Sequence, residues 1–311
     1  MGPSLKGINE TIKVHVCVSP RNLCIYEDQL RDETLNFLHE CDKQIFFNDN
    51  AICVDLRKLE YITAAASVLL FSTISRAKFC GPYQFASTNV TVLFPIDKKI
   101  KRNFRQWGFN RALRCKSIPE LDSLFNENGF YITGSDPKLD GKKISDFICT
   151  KYEITKLPNR LSSAIQEGLL NILHHAYDEP VHNFMRNRWW CVFAVVENNS
   201  KRYLQCIILD RGKGIKKNIL GAFPLIQTQA GSEGFYIGYA MNKDISSTHS
   251  VGRGQGSEDL KHPVMLRDND DYLSVLSHRG GFTQDSNSKD EMEYSKSVGG
   301  TIIEWRLAFD E

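Results

Sequence analysis

The chain has 311 residues, 41% of them hydrophobic and 24% charged, and carries a net charge of +2. This composition fits a soluble globular protein with room for two domains. The near-neutral total gives no general field for nucleic acid or an anionic membrane, and the longest mostly apolar run, residues 64–74, is far short of the ~20 residues that span a bilayer. Nine cysteines form no C-x-x-C pair, and several (Cys53, Cys191, Cys206) lie in apolar, strand-like runs. The N-terminus lacks the apolar core of a signal peptide. The expectation is a reduced, cytoplasmic protein with neither a zinc site nor a disulfide framework.

In chain order, residues 11–18 alternate like a half-buried strand, and residues 28–44 have helical spacing through Leu30, Leu35, Phe37 and Leu38. A short buried strand follows at 51–55, an apolar helix at 65–79, a strand at 90–94 and an amphipathic helix at 98–107. That last helix bears Lys98, Lys99, Lys101, Arg102 and Arg105, which read as a solvated face. Strands alternating with helices predict a sheet covered by helices. Residues 132–143 are polar with two glycines and a proline, and read as a linker between a first domain (1–131) and a second (144–311).

In the second domain a helix is expected over 158–177, with its proline in the first turn. Strands at 189–196 and 202–208 are joined by a hairpin signal. A glycine-rich stretch runs from Asp210 to about Gly256, and a helix starts near Ser257. Strands at 272–277 and 301–307 close the domain, with a polar surface loop over 285–297 between them. The fold class is α/β, with helices on one face of a mixed sheet in the second domain.

Four short motifs occupy this half in a fixed order. They are Glu167-x-x-x-Asn171-x-x-x-His175-Ala176, Asp210-x-Gly212-x-Gly214, Gly252-Arg253-Gly254-Gln255-Gly256 and Gly299-Gly300-Thr301. At about 100° per residue, Leu161, Ile165, Leu169, Ile172 and Leu173 share one helix arc, and Glu167, Asn171, His174 and His175 fall nearly opposite. One face can therefore pack on a sheet while the other presents a carboxylate, an amide and imidazoles. A buried-strand run, residues 206–209, delivers Asp210 at its end, and Gly252–Gly256 feed a helix N-terminus, where backbone amides attract phosphate.

Order and spacing together resemble the ATP-binding domain of the GHKL superfamily, the Bergerat-fold ATPases of gyrase, heat-shock chaperones, histidine kinases and mismatch-repair proteins. The resemblance implies ATP and Mg²⁺ as ligands. It implies that Asn171 gives the metal an oxygen, that Glu167 orients or deprotonates the attacking nucleophile, and that His175, or His174 in its place, lies near the phosphates. It implies that Asp210 accepts a hydrogen bond from the adenine amino group with Thr301 beside it, and that Gly212, Gly214, Gly252, Arg253, Gly254, Gln255 and Gly256 line the nucleotide. The segment 217–251 would be an ATP lid. Ser257 departs from the leucine that many relatives place after the glycine motif.

Residues 54–70, with 90–95 and 104–109, resemble the STAS domain of anti-sigma-factor antagonists. Where those proteins carry a regulatory serine pair at the helix start, this chain has Ala64 and Ala65, with Thr63 as a helix cap. The first domain therefore reads as a docking or dimerisation surface for a protein partner. The resemblances imply an ATP-operated regulatory switch with slow hydrolysis. The alternatives are a Ser/Thr protein kinase of the anti-sigma type and a non-catalytic nucleotide-sensing scaffold. Gyrase-like members take a phosphate-contacting lysine from a further domain, and here the first domain or a second subunit would have to supply it.

Overall fold

A computed structural model describes residues 13–82, 89–127, 129–198, 201–225, 231–242, 256–265 and 270–308. The first half begins with β1 (Val14–Val18), β2 (Asn22–Leu23), helix α1 (Asp28–Phe46), β3 (Ala51–Asp55), β4 (Tyr61–Ile62) and helix α2 (Ala64–Cys80). It continues with β5 (Val90–Leu93) and helices α3 (Lys98–Gln106), α4 (Phe109–Arg114) and α5 (Ile118–Asp122). The second half holds β6 (Tyr131–Gly134), α6 (Pro137–Tyr152), α7 (Leu161–Asn171), β7 (Trp189–Asn198), β8 (Lys201–Asp210), α8 (Ile215–Ala222) and α9 (Glu233–Ala240). Helix α10 (Gly256–Met265) and strands β9 (Tyr272–Ser277), β10 (Gly280–Gln284), β11 (Lys289–Glu293) and β12 (Thr301–Ala308) complete it. The α/β class holds. No helix among the described residues is long and apolar enough to cross a membrane.

Strands β1, β3 and β5 form a parallel sheet in the order β1-β3-β5. The second sheet has seven strands in the order β11-β10-β9-β12-β8-β7-β6, and every pairing in it is antiparallel. The expected mixed sheet is thus corrected: parallel pairing is confined to the first half. The face of this sheet opposite its own helices is covered by helices of the first half. Adjacent Trp189 and Trp190 are fully buried on opposite faces of β7, as the period of two requires. Trp189 Nε1 donates to Asp140 on α6 (3.1 Å), whereas Trp190 Nε1 donates to Ser75 on α2 (2.9 Å). Helices α6, α7 and α10 therefore cover one face, and α1 and α2 separate the other face from the small sheet, giving four layers.

Helix α2 explains this arrangement. It is buried along nearly its whole length, from Ala65 to Ala77, so it cannot be a surface helix. Thr63 caps it by accepting from Ala66 N (3.3 Å), as expected. Two of its buried hydroxyls donate within the helix: Ser72 to the Leu69 carbonyl and Ser75 to that of Phe71. The alanines at its start belong to the continuous core: Ala65 and Ala66 are buried in it and Ala64 packs against it. The two halves are further joined by Glu304, a buried carboxylate of β12 that accepts from Tyr26 (2.7 Å), Gln205 (2.6 Å) and Tyr272 (2.6 Å).

The linker expected over 132–143 is instead β6 and the first turns of α6. Its glycines and proline serve packing. A Cβ on Gly134 would strike Asp140 and Trp189, a Cβ on Gly141 would strike Gln166, and Pro137 opens α6 where no intrahelical donor is needed. The loop expected over 285–297 contains β11, paired to β10. The single helix expected over 158–177 is three pieces. Left-handed Asn159 and Arg160 break it before α7, and residues Ile172–Ala176 widen into a π turn. The lid segment includes α9 and all but the first two residues of α8 among its described residues.

Candidate functional site

Asp210 ends β8, and register puts it opposite Thr301 of β12, which in turn lies opposite Ser277 of β9. One carboxyl and two hydroxyls thus stand in a row across three strands, all nearly buried. Asp210 Oδ1 accepts from Gly212 N (2.8 Å) and the carboxyl also bonds to Thr301. Ser277 Oγ accepts from Ile215 N (2.9 Å) and lies 3.4 Å from Thr301 Oγ1. Burial outweighs these bonds and raises the Asp210 carboxyl to about 6. This row faces α7, because Gly168 of α7 packs against Ile208, Ile303 and Trp305, which share that sheet face.

The motif helix behaves as its periodicity requires. Leu161, Ile165, Leu169 and Ile172 are buried, Leu173 is half-buried, and Glu167 and Asn171 are half-buried one turn apart. Burial raises the Glu167 carboxyl, and the charge of Asp259 in the first turn of α10 adds to it. No described residue hydrogen-bonds the side chain of Glu167 or Asn171. His175 is half-buried, with its imidazole lowered first by burial and then by His174 and Lys213, whereas His174 is exposed.

The turn after Asp210 closes on the end of this helix. Lys213 N donates to the Ala176 carbonyl (2.8 Å), and a Cβ on Gly212 would collide with the Ala176 backbone. Gly214 has φ of 79° and packs on the His278 ring, whose Nε2 donates to the Lys213 carbonyl (3.0 Å). Gly300 has φ of 144° and lies against the Asp210 carbonyl. Gly300→Ala is expected to cost about 3 kcal/mol or more in urea unfolding, since left-handed strain and a backbone clash coincide there. A loss below about 0.5 kcal/mol, typical of a free surface position, would show that this turn relaxes.

Asp210, Gly212, Gly214 and Thr301 therefore meet at the ends of β8 and β12, where their turn closes on Ala176 and His175 feels Lys213, while Asn171 and Glu167 lie one and two turns earlier along the same helix. Gly252, Arg253, Gly254 and Gln255 lie outside the described residues, and Gly256 is described only as the first backbone position of α10. Ser277, His278 and Lys213 join the site without having been singled out from sequence. The last residue of the 272–277 strand was the available signal for Ser277. Among the described residues no group of three acidic, histidine or cysteine side chains could hold a metal alone. Asn171 fits as a single oxygen donor to an ion whose remaining ligands come with a substrate. No family model matches the chain, and no curated protein matches it.

Proposed function

We propose that this site binds ATP with Mg²⁺ in the GHKL manner, and that the chain is a nucleotide-operated regulatory switch with slow hydrolysis. The observation that carries the reading is the buried Asp210–Thr301–Ser277 row, facing helix α7, on which Glu167 and Asn171 stand half-buried one turn apart. A nearly buried carboxylate at a strand end suits the amino group of adenine and would be repelled by the carbonyl of guanine. Asn171 offers its amide oxygen to Mg²⁺, which supplies charge neutralisation at the phosphates. Glu167, raised by burial, suits the removal of a proton from an attacking water. Helix α9 and most of α8 lie in the segment that would close over the triphosphate, and α9 packs on the β10–β11 hairpin. The first half, STAS-like in this reading, would pass the nucleotide state to a protein partner.

Incubation with γ-labelled ATP tests this. The expected result is slow release of free phosphate that falls about 100-fold or more in Glu167→Gln, the usual range for loss of a general base. Label transferred to protein would replace the hydrolase by a kinase. Binding without turnover would leave a nucleotide sensor, and no nucleotide binding would overturn the assignment.

A further inference from the structure

Among the described residues strand β1 is an edge of the parallel sheet, and its sequence Val-His-Val-Cys-Val contains no lysine, proline or bulge to blunt that edge. The Lys13 carbonyl accepts from Ala51 N, and Ser19 N donates to the Asp55 carbonyl, each at 3.0 Å. Odd-numbered residues therefore turn their backbone groups inward to β3. Val14, Val16 and Val18 turn theirs outward, and their side chains are 55%, 52% and 57% exposed. Beside this edge runs a groove of about 560 Å³ between β1 and α1, with Val16, Val18, Pro20 and Phe37 among its apolar walls and Glu33 and Glu40 as the carboxyl side chains that line it. An open strand edge flanked by a helix is the geometry that accepts an extended peptide as an added strand.

We propose that the β1–α1 groove binds an extended segment of a partner protein in which apolar residues alternate with lysine or arginine, paired to the outward backbone groups of Val14, Val16 and Val18. Charge chooses the occupant. A second copy of this chain would bring its own Glu33 and Glu40 to the groove, and like charges oppose that pairing. The only basic group on β1 itself is His15, already 3.5 Å from Glu40. A basic, apolar-alternating strand offers both the missing hydrogen bonds and the missing charge.

The test uses the full chain and a fluorescent heptapeptide of alternating lysine and valine, with a glutamate–valine peptide of the same length as its counterpart. Anisotropy should show binding of the basic peptide only, weakened about tenfold or more in Glu33→Lys/Glu40→Lys and by added salt. Glu40 is half-buried and accepts from Gln44 Nε2 (2.7 Å), so Glu33→Lys alone, at an exposed position, is the control: its thermal midpoint should stay near wild type while basic-peptide binding still weakens. Hydrogen exchange should slow at the amides of Val14, Val16 and Val18 on peptide addition and stay unchanged at His15 and Cys17. Equal binding of the acidic peptide, absence of binding, or protection elsewhere would overturn the proposal. Concentration-dependent dimerisation that protects the same three amides without peptide would overturn it in favour of a second copy.

Discussion

Asp210→Asn should make the nucleotide-free protein more stable while weakening ATP binding about 100-fold, the combined effect of a lost charge-assisted bond and a mismatched donor. The two effects share one cause. The folded state raises this carboxyl from 3.8 to about 6, chiefly by burial, so the folded protein holds the proton more tightly than the unfolded chain does. The stability this adds is fully present below about pH 4 and is lost as the pH rises through about 6. At neutral pH the ionised carboxylate is an expense of about 1–3 kcal/mol that an isosteric amide removes. The amide cannot do the work assigned to the carboxylate. Gly212 N already occupies Oδ1, which leaves the Asn amino group where the adenine amino group must donate, and two donors then meet. Wild-type affinity for ATP should likewise fall as the pH drops below about 6, because protonation puts a donor in the same place. Urea unfolding at pH 5 and pH 8, paired with calorimetric titration of ATP, separates the two arms. Unchanged ATP affinity in the variant would remove adenine from this end of the sheet, while a stability gain alone would still report the buried charge.

Sequence periodicity carried much of this site because its parts are local. The face of α7 with Glu167 and Asn171 follows from 3.6-residue spacing, and Asp210 marks the end of an apolar run that is strand β8. Ser277 and His278 were not legible in that way. They enter through the pairing of β9 with β12, a long-range register that no local pattern encodes. The misread linker shows the converse. Gly134, Pro137 and Gly141 look like chain breakers, yet they are small or rigid because Trp189, Gln166 and the start of α6 crowd them. Apolarity on every side of α2 did carry a message about architecture, since a helix without a polar face must be covered twice. What covers it the second time is the back of the antiparallel sheet, and that could be found only once Trp190 was seen to reach Ser75.

Arg211→Ala should destabilise the whole molecule by about 3–5 kcal/mol, the range for stripping one partner from a buried charged network. Arg211 is the variable residue of the Asp-x-Gly turn, and its side chain is only 3% exposed. It leaves the site and enters the other half. One guanidinium nitrogen donates to the Val298 and Gly299 carbonyls (2.8 and 3.3 Å), and the other donates to Thr73 Oγ1 on α2 (2.6 Å). Asp42 on α1 lies 3.7 Å away and is shared with Arg76. Burial lowers the guanidinium to about 10 although Asp42 pulls it upward, so the charge is retained at neutral pH but incompletely compensated. Alanine would leave Thr73 and two carbonyls of the Gly299–Gly300 turn without their donor, next to Thr301. Arg211→Met, which fills the volume without the charge, should therefore cost much less, since apolar replacement of a buried ion is often near neutral. A double-mutant cycle of Arg211→Met with Thr73→Val should show coupling of about 1–3 kcal/mol, as contacting residues of one network do. Unfolding of both variants should remain a single transition, because the shared core makes the halves one cooperative unit. Separate transitions for the two halves, or a cost for Arg211→Ala below about 1 kcal/mol, would mean that the turn carrying Asp210 is not braced on α2, and that the first half has no mechanical route to the site.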